Sequence, residues 1–403
     1  MSGLLAYDDA LALSLKGLAP LAAETISVDA ARARALVDDV IADHALPPAA
    51  VSAMDGYAVR HADLSDGPWR LTLAGEIPAG GAFEGVLPKG GAARIFTGAP
   101  VPDGADLIVI QEDVTRDGDV VAGEGREAAG RHIRARGIDF DAGEAVLKAG
   151  RVLSAIDVAL AAAANQAVLR VRRQPRVTVF ASGDELVEPG GALGPTAIVN
   201  SGAYGVAGLA ETWGAQGARA AILPDDQSAV EKALGAAFEQ SDVIVTIGGA
   251  SVGDFDLIKP AARSLGAEIF FEKVAIRPGK PCWHGRVQDG PLFVGLPGNP
   301  ASAFVCAYLF LRPLIDCLLG AGLVASRWME VTAGAPLAAN GPRESFLRGR
   351  LETSQGALSA IADERQDSSL ITPFAAADVL IRRPAKAPGA AIGDPVTVLR
   401  LQD

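Results

Sequence analysis

The sequence predicts a multidomain α/β plus β protein, with a doubly wound, mostly parallel α/β domain, an inserted all-β module, a helical linker domain and a C-terminal small β domain. From residue 176 onward, strand-like apolar runs alternate with helix-like runs, which is typical of a parallel sheet with helices on both faces. Residues 47–138 and 326–403 consist instead of short apolar runs separated by Gly, Pro and Asp. That punctuation favours β structure.

Length and composition agree with several globular domains. The chain has 403 residues, of which 49% are apolar, and it contains 46 glycines and 25 prolines. This length exceeds one compact core, and the Gly and Pro content indicates many turns rather than disorder. The formal charge of −12 disfavours nucleic acid and anionic membranes as partners, although a small anion can bind in a locally basic pocket.

The N-terminal segment and the most apolar segment bear on location. Residues 1–20 carry two aspartates before any basic residue, which favours an amphipathic helix over a secretory signal. The apolar run at 303–320 contains Arg312 and Asp316, which argues against a membrane span. We therefore expect a cytoplasmic protein.

The cysteines and histidines show no reactive pattern. The cysteines lack CxxC spacing, so we expect buried thiols in a reducing compartment. They are Cys282, Cys306 and Cys317. The histidines follow no hydrolase or zinc motif, so we expect structural roles for them. They are His44, His61, His132 and His284.

Two helical periods flank the inserted module. They cover residues 25–45 and 153–169, and we expect these two pieces to pack together. Within the module, the stretch SAMDGYAVR at 52–60 follows a Pro-Pro pair. It is compatible with an ordinary Asp-Gly turn or with a presented carboxylate at Asp55.

Three loops at predicted strand ends form the candidate binding region of the α/β domain. They are SGDEL at 182–186, GGASVGD at 248–254 and GLPGNPASAF at 295–304. Each alone is compatible with an ordinary strand-to-helix connection, but three together favour an anion site at the carboxyl ends of the strands. Asn299 is expected to cap a helix that begins at Pro300, so that the helix N-terminus points at the site.

Charged side chains accompany these loops. The acidic ones are Asp184, Glu185, Asp225, Asp226, Asp254 and Asp256, and the basic ones are Lys259, Lys273, Arg277 and Lys280. Asp226 is expected to serve as a helix cap or to lie in a solvated turn, and the other carboxylates fit either these roles or a Mg²⁺ site. The basic residues fit either an anionic ligand or a solvated face. No Walker loop or GxGxxG occurs, which disfavours ordinary NTPases and dinucleotide enzymes.

Seven motifs occur in a characteristic order: SAMDGYAVR, TGAPVPDGADLIVIQED, RGIDFDAG, FASGDEL, GGASVGDFDLIK, VAIRPGKP and GLPGNPASAF. Together they resemble the molybdopterin molybdenumtransferase family, which is also represented by the E domain of gephyrin. The resemblance covers residues 1–403. It implies an enzyme that inserts molybdenum from molybdate into adenylylated molybdopterin and releases AMP in the presence of Mg²⁺. It also implies a homodimer whose active site is shared between subunits.

The resemblance further implies a domain organisation. The α/β molybdopterin-binding domain would comprise residues 1–18 and 171–325, and the helical linker domain residues 19–46 and 139–170. The inserted β module would be 47–138 and the C-terminal β-barrel-like domain 326–403. The adenylyltransferase of the same pathway is a candidate partner.

The resemblance also assigns expected roles to residues. Catalytic roles fall on Asp55, Thr97, Asp139, Glu185, Asp225, Asp256 and Lys273. Binding of the pterin, phosphate or anion falls on Ser182, Gly183, Asp184, Ser201, Gly248, Gly249, Ser251, Gly253, Arg277, Lys280, Pro297, Gly298, Asn299 and Ser302. Binding of Mg²⁺ falls on Asp184, Glu185 and Asp256.

The chain departs from the usual family pattern at four positions. Arg277 stands where lysine is frequent, and Ile138 stands where an acidic residue is expected. Asn200 and Gly202 stand where aspartate and asparagine are usual. Two other functions remain open at this stage, a molybdopterin adenylyltransferase and a non-enzymatic molybdopterin-binding scaffold.

Overall fold

The chain begins with a helix that contacts two parts of the molecule. The computed structural model describes residues 4–249, 257–321, 327–354 and 356–401. The expected N-terminal helix is α1 (Tyr7–Leu15). The Tyr7 ring meets Phe310 of the α/β core at 5.7 Å and Phe346 of the C-terminal domain at 5.3 Å, both edge to face. These contacts join α1 to both domains.

Short strands dominate the first part of the chain, together with helix α2 (Ala155–Ala163). The strands are β1 (Ala23–Ser27), β2 (Val40–Ile41), β3 (Val51–Ser52), β4 (Gly56–Val59), β5 (Pro68–Ile77), β6 (Gly91–Ile95), β7 (Leu107–Ile110), β8 (Val114–Asp117), β9 (Val120–Glu124), β10 (Ile133–Arg134), β11 (Ala145–Leu147) and β12 (Val168–Arg172). Short 3₁₀ turns lie at Val28–Ala30, His61–Asp63 and Gln111–Asp113.

The predicted helix over residues 25–45 is wrong. Its first part is β1, which pairs antiparallel with β12, and its last part contains β2, which pairs with β11. Pairing with a distant segment outweighs the helical propensity of the alanines, because Thr25 and Ile26 are β-branched and suit a strand. The second expected helix is shorter than predicted, since Asn165 adopts a φ of 66° and turns the chain toward β12. The expected helical linker is therefore mixed α and β.

The expected β structure after residue 47 is confirmed. Strands β7-β4-β6-β5-β9-β8 form one sheet in that order. Tyr57 and Val59 pack on one face, and Ala58 between them packs on the other, which is the period-2 alternation of a strand.

The α/β domain begins after β12. Its strands are β13 (Arg176–Ala181), β14 (Leu186–Val187), β15 (Ile198–Val199), β16 (Gln216–Arg219), β17 (Val243–Ile247), β18 (Glu268–Phe271), β19 (Ile276–Arg277), β20 (Trp283–Arg286) and β21 (Leu292–Leu296). Its helices are α3 (Gly202–Thr212), α4 (Gln227–Phe238), α5 (Ile258–Ser264), α6 (Pro300–Cys306) and α7 (Arg312–Leu318), with a π-helical segment at Ala307–Leu311.

The central sheet has the predicted, mostly parallel arrangement. Its order is β16-β13-β17-β21-β20-β18, in which the first four strands are parallel and β20 is antiparallel to both neighbours. Val179 and Val245 pack with α3 and α6 on one face, whereas Phe180 and Ile244 pack with α4 and α5 on the other. Helices therefore cover both faces, as the alternation predicted.

Helices α6 and α7 and the π-helical segment between them run continuously as Pro300–Leu318, called the core helix below. By length and composition this helix could cross a membrane, with a mean hydropathy of 1.6, but 94% of its most apolar window is buried inside the protein. The thiols of Cys282 and Cys306 are buried as predicted. The prediction for Cys317 is wrong, because this residue lies in the last turn of the core helix and is partly exposed.

The C-terminal domain is a small closed barrel. Its strands are β22 (Trp328–Ala333), β23 (Glu344–Ser354), β24 (Ala357–Ala362), β25 (Val379–Arg383) and β26 (Pro395–Arg400), with a short helix α8 (Thr372–Ala375). The strand order is β23-β24-β22-β26-β25, and β25 pairs again with β23. This second pairing closes the ring, so the predicted barrel-like domain is confirmed in its fold.

A buried arginine organises one loop of the barrel. Arg348 is 1% exposed. Its guanidinium donates to the carbonyl oxygens of Asp367 and Leu370 at 3.0 Å and of Arg365 at 3.1 Å, and to Gln366 Oε1 at 3.2 Å. One side chain thereby fixes the chain between β24 and α8.

Arg348→Lys should loosen this loop, because one ammonium group cannot replace a planar fork that reaches four acceptors. We expect a loss of about 2–4 kcal/mol in the free energy of unfolding, with faster hydrogen exchange over 363–371. Arg350→Lys is the matched control, since Arg350 lies on the same strand and is exposed. Equal effects of the two substitutions would contradict the anchoring role of Arg348.

His284 should make stability depend on pH. Its ring is 1% exposed and packs against Phe270 at 5.5 Å, and neither ring nitrogen has a hydrogen-bond partner among the described residues. Burial, with a smaller contribution from Arg286, lowers the pKa of His284 to about 3. The folded protein keeps this ring neutral, whereas the unfolded chain takes up a proton below about pH 6.5.

We therefore expect the wild type to lose stability progressively as the pH falls below about 6.5, by up to about 1.4 kcal/mol per pH unit. His284→Leu removes the titrating group and should flatten this dependence. Urea denaturation between about pH 7 and 5 tests this. Over that range, we expect the free energy of unfolding of the wild type to fall by about 2 kcal/mol more than that of His284→Leu. Parallel curves would show that His284 is not responsible.

Candidate functional site

The carboxyl ends of four neighbouring parallel strands meet at one edge of the central sheet. The loop at 182–185 follows β13, residues 223–225 lie beyond β16, residues 248–249 follow β17 and residues 297–299 follow β21. Because these strands are adjacent and parallel, their loops lie side by side. The three predicted loops therefore share one location.

These loops line a cavity of ≈ 740 Å³. The predicted residues that line it are Ser182, Glu185, Ser201, Gly248, Gly249, Lys273, Lys280, Pro297, Gly298 and Asn299. Five further residues of the α/β domain with expected catalytic or binding roles are described but do not line it, namely Gly183, Asp184, Asp225, Arg277 and Ser302. Asp254, Asp256, Ser251 and Gly253 lie outside the described residues.

The cavity is basic in an acidic protein. Among the described residues that line it, the charged ones are Lys273, Lys280 and Glu185. Lys280 is exposed and Lys273 is half-buried. Two cations against one carboxylate favour an anionic ligand, although the whole chain carries a formal charge of −12.

Lys259 does not belong to this group. It is 8% exposed, and its ammonium group pairs with Glu272 Oε2 at 3.5 Å. Arg263 also pairs with Glu272. Lys259 therefore contributes to packing between α5 and the chain after β18.

The glycine at the end of β17 is required by a close approach of two backbones. Gly248 has a φ of +88°, and a Cβ atom there would lie 2.6 Å from Ser182 O. Any side chain would thus separate the two loops.

The backbone amides of the loops are less available than the sequence suggested. Ser182 N–H donates to Ile247 O at 2.9 Å, Gly183 N–H to Leu223 O at 3.3 Å and Gly248 N–H to Leu296 O at 3.1 Å. These donors extend the sheet ladder beyond the strand ends. Lys273 and Lys280 are therefore better placed than these amides to hold an anion.

The barrel contributes residues that sequence reasoning missed. Ser369 and Ile371 line the cavity. Asn299 Nδ2 donates to Ser368 Oγ at 2.9 Å, and Ala301 N–H donates to Ser368 O at 3.1 Å. Asn299 is the predicted N-cap, but its side chain contacts the barrel instead of the helix amides.

Another part of the cavity wall is apolar, which the sequence analysis did not predict. Ile198 and Val199 line the cavity and are 55% and 37% exposed. The next residue, Asn200, also lines it and is 3% exposed. Exposed β-branched residues beside a basic cavity suit a ligand that combines an apolar ring with anionic groups.

Asp184 and Asp225 lie at the same sheet edge and contact each other. Asp225 N–H donates to Asp184 Oδ1 at 3.2 Å. Asp226 caps α4 as predicted, since its Oδ1 accepts from Ala229 N–H at 2.8 Å. Among the described residues, no group of three or more His, Cys, Asp or Glu side chains converges on a metal site.

The β module brings Asp55 and Thr97 together. Asp55 precedes β4 and Thr97 follows β6, and these strands pair antiparallel with Gly56 opposite Ile95. Asp55 Oδ1 accepts from Thr97 N–H at 2.7 Å and from Thr97 Oγ1 at 2.8 Å. These bonds, the backbone one first, hold the pKa of Asp55 below its ordinary value, so it is a carboxylate at neutral pH.

Asp139 lies at a second cavity, of ≈ 680 Å³, on the β module. Arg134 and Gly98 also line this cavity, and Gly98 follows Thr97 directly. The basic cavity of the same chain is not lined by Asp55, Thr97 or Asp139. The predicted site residues thus fall on two surfaces of the chain.

Two of the four unusual positions, Arg277 and Ile138, do not line the basic cavity. Arg277 is exposed on β19, which pairs with β23 of the barrel. Ile138 is 64% exposed beside Asp139.

Models of known families match three consecutive parts of the chain. They are the MoeA N-terminal region (domain I and II) over 5–165, a probable molybdopterin binding domain over 178–316 and the MoeA C-terminal region (domain IV) over 330–401.

Individual relatives agree with these matches. The molybdopterin molybdenumtransferase of Nostoc sp. is 35% identical over 83% of this chain and 78% of its own length. Molybdopterin molybdenumtransferase 2 of Mycobacterium tuberculosis is 39% identical over 73% of this chain and 75% of its own. The crystal structure of the molybdopterin biosynthesis moeA protein from Pyrococcus horikoshii OT3 superposes with a TM-score of 0.82 at 25% identity, over 99% of this chain and 100% of that one. This chain belongs to the molybdopterin molybdenumtransferase (MoeA) family.

Proposed function

We propose that this protein transfers molybdenum from molybdate into adenylylated molybdopterin and releases AMP. The observation that carries the proposal is the basic cavity at the carboxyl ends of the parallel strands, with an apolar wall on one side. Its volume of ≈ 740 Å³ suits a ligand of nucleotide or pterin size. The family membership supports the same reaction.

Anion binding is the task of Lys273 and Lys280. Both line the cavity, and both substrates, molybdate and the phosphate groups, are anionic. Positive charge fixed in a concave site attracts such substrates and stabilises negative charge that develops in the transition state. Ile198 and Val199 would contact the apolar part of the substrate.

Mg²⁺ is part of this proposal, and the donor set fits it. Glu185 lines the cavity and is exposed, as is its neighbour Asp184. Carboxylate oxygens together with substrate phosphate oxygens are the ligands that Mg²⁺ prefers. Glu185 would hold the ion, with Asp184 beside it. When bound, the ion would neutralise charge on the phosphoanhydride.

We further propose a cytoplasmic homodimer in which Asp55 and Thr97 of one subunit complete the basic cavity of the other. The separation of these residues from the cavity within one chain supports this arrangement. Thr97 holds Asp55 as an oriented carboxylate, which could position a proton or a metal-bearing group at the partner's cavity. The adenylyltransferase of the same pathway would supply the substrate.

An adenylyltransferase function is less well supported. The α/β domain alone would suit it, but the chain also matches the MoeA N-terminal and C-terminal regions. The barrel residues Ser369 and Ile371 line the cavity, so the C-terminal domain is part of the proposed site.

The decisive experiment incubates the protein with adenylylated molybdopterin and follows AMP. We expect AMP release that requires molybdate and is stimulated by Mg²⁺. Formation of adenylylated molybdopterin from molybdopterin and ATP would support an adenylyltransferase instead. Binding without turnover would support the scaffold.

Lys273→Ala should lower kcat/KM for molybdate-dependent AMP release by about 10²-fold, because it removes a fixed charge from the cavity. Lys232→Ala is the control. Lys232 is exposed on α4 and does not line the cavity. If both substitutions lower kcat/KM equally, Lys273 has no special role.

Asp55→Asn should fold and dimerise normally but lose molybdenum insertion. The amide oxygen can still accept both hydrogen bonds from Thr97, so the loop keeps its anchor while the charge disappears. The measurements are circular dichroism, the mass of the dimer and molybdate-dependent AMP release. A collapsed fold would assign Asp55 to the turn alone.

Mixed dimers test the shared site directly. In a dimer of Asp55→Asn and Lys273→Ala subunits, one of the two sites would contain only wild-type residues. Random mixing of equal amounts should therefore restore about a quarter of wild-type activity. If each single variant is inactive and the mixture is not restored, Asp55 and Lys273 of the same subunit act in one site.

A further inference from the structure

A network of four side chains holds one wall of the basic cavity. The network consists of Glu188, Asn200, Tyr204 and Arg219, and is called the wall network below. It connects the chain after β14 with the start of α3 and the end of β16. Asn200 is the member that also lines the cavity.

Asn200 uses both ends of its amide. It is 3% exposed. Nδ2 donates to Glu188 Oε1 at 3.2 Å, and Oδ1 accepts from Ala203 N–H at 3.3 Å in the first turn of α3. Its backbone N–H donates to Val187 O at 2.9 Å. The position therefore requires one donor and one acceptor on a short side chain.

Glu188 is the acceptor at the centre of the network. It accepts from Tyr204 Oη at 2.9 Å and from Arg219 Nη1 at 3.4 Å, and the Arg219 guanidinium lies 3.5 Å from the centre of the Tyr204 ring. The bond from Tyr204, followed by the bond from Asn200, holds the pKa of Glu188 below its ordinary value. Glu188 is therefore charged at neutral pH.

We propose that Asn200 is a positioning residue, which fixes the wall at 198–202 for the substrate and does so because its side chain is a neutral amide. The inference rests on the proposed function, since the wall faces the proposed substrate. An aspartate at this position could still accept from Ala203 N–H. It could not donate to Glu188, and two carboxylates would then face each other at about 3 Å, which disfavours the ionised pair.

Glu188 is the charged side chain that contacts position 200 directly. It approaches from the chain after β14, and Arg219 approaches Glu188 from β16. Glu185, Lys273 and Lys280 line the same cavity. Of these charged groups, Glu188 is the one that is hydrogen-bonded to Asn200, so a charge introduced there responds first to Glu188.

The test compares Asn200→Asp with the double variant Asn200→Asp, Glu188→Gln. At about pH 8 we expect Asn200→Asp to raise KM for adenylylated molybdopterin about tenfold with kcat changed by less than about twofold. At about pH 5.5 the increase should shrink as one carboxyl group takes up a proton. The double variant should return KM to within about threefold of wild type, because the introduced glutamine amide can donate to the introduced carboxylate.

The matched control is Asn165→Asp. Asn165 is exposed, and its Nδ2 also donates to a carboxylate, Asp43 Oδ2, at 3.4 Å. It lies near α2, in the N-terminal part of the chain, so the same chemical change there should leave KM unaltered. A KM that is unchanged in Asn200→Asp, not restored in the double variant, or equally raised in Asn165→Asp would overturn the proposal.

A second measurement needs no substrate. The thermal midpoint of Asn200→Asp should fall below that of wild type at about pH 8, approach it at about pH 5.5 and recover in the double variant. If wild type shows no molybdate-dependent AMP release, the proposed function fails while this measurement still tests the pairing of Asn200 with Glu188. Identical midpoints at both pH values would overturn the pairing.

Discussion

The parallel register of β13, β17 and β21 is the constraint on which the site depends. Val177 aligns with Val243, and Val243 with Leu292, so the three strands end at one level. The ladder continues past their ends through Ser182 N–H and Gly248 N–H. This extension makes the edge rigid, but it also uses amides that could otherwise bind an anion. For this reason Lys273 and Lys280, which line the cavity, are the groups that we propose for binding anions.

The C-terminal barrel also contacts this edge of the sheet. The core helix begins at the cavity, which Pro300 lines, and Ser368 O accepts from Ala301 N–H in its first turn. Arg348 holds the loop that carries Ser368. The buried Arg348 guanidinium therefore fixes the loop whose Ser368 contacts the core helix of the neighbouring domain. The barrel is in this sense part of the cavity, although its residues follow the α/β domain in sequence.

The sequence could predict features that depend on local pattern. Strand and helix alternation placed the three loops, and the position of Asp226 before a helical run indicated its cap. Contacts between segments that are distant in the sequence could not be predicted. Nothing near Ser368 in the sequence indicates that it contacts Asn299 and Ala301 at the start of the core helix. The segment of β1 looked helical because its partner β12 lies about 145 residues away. The Glu188 contact of Asn200 likewise depends on how the chain between β14 and β15 returns to α3.

The division of the predicted site residues between two surfaces has a physical consequence. Asp55 is fixed to Thr97 by two hydrogen bonds at the junction of β4 and β6, whereas the two lysines belong to the cavity of the α/β domain. A single chain could unite them only by moving the β module as a body relative to that domain. In the proposed homodimer, a second chain related by twofold symmetry would supply the carboxylate to the cavity of the first, and each subunit would contribute both a carboxylate and a cavity. The proposed two-fold pairing would thus complete the site without a movement of the β module, and it would yield two equal sites.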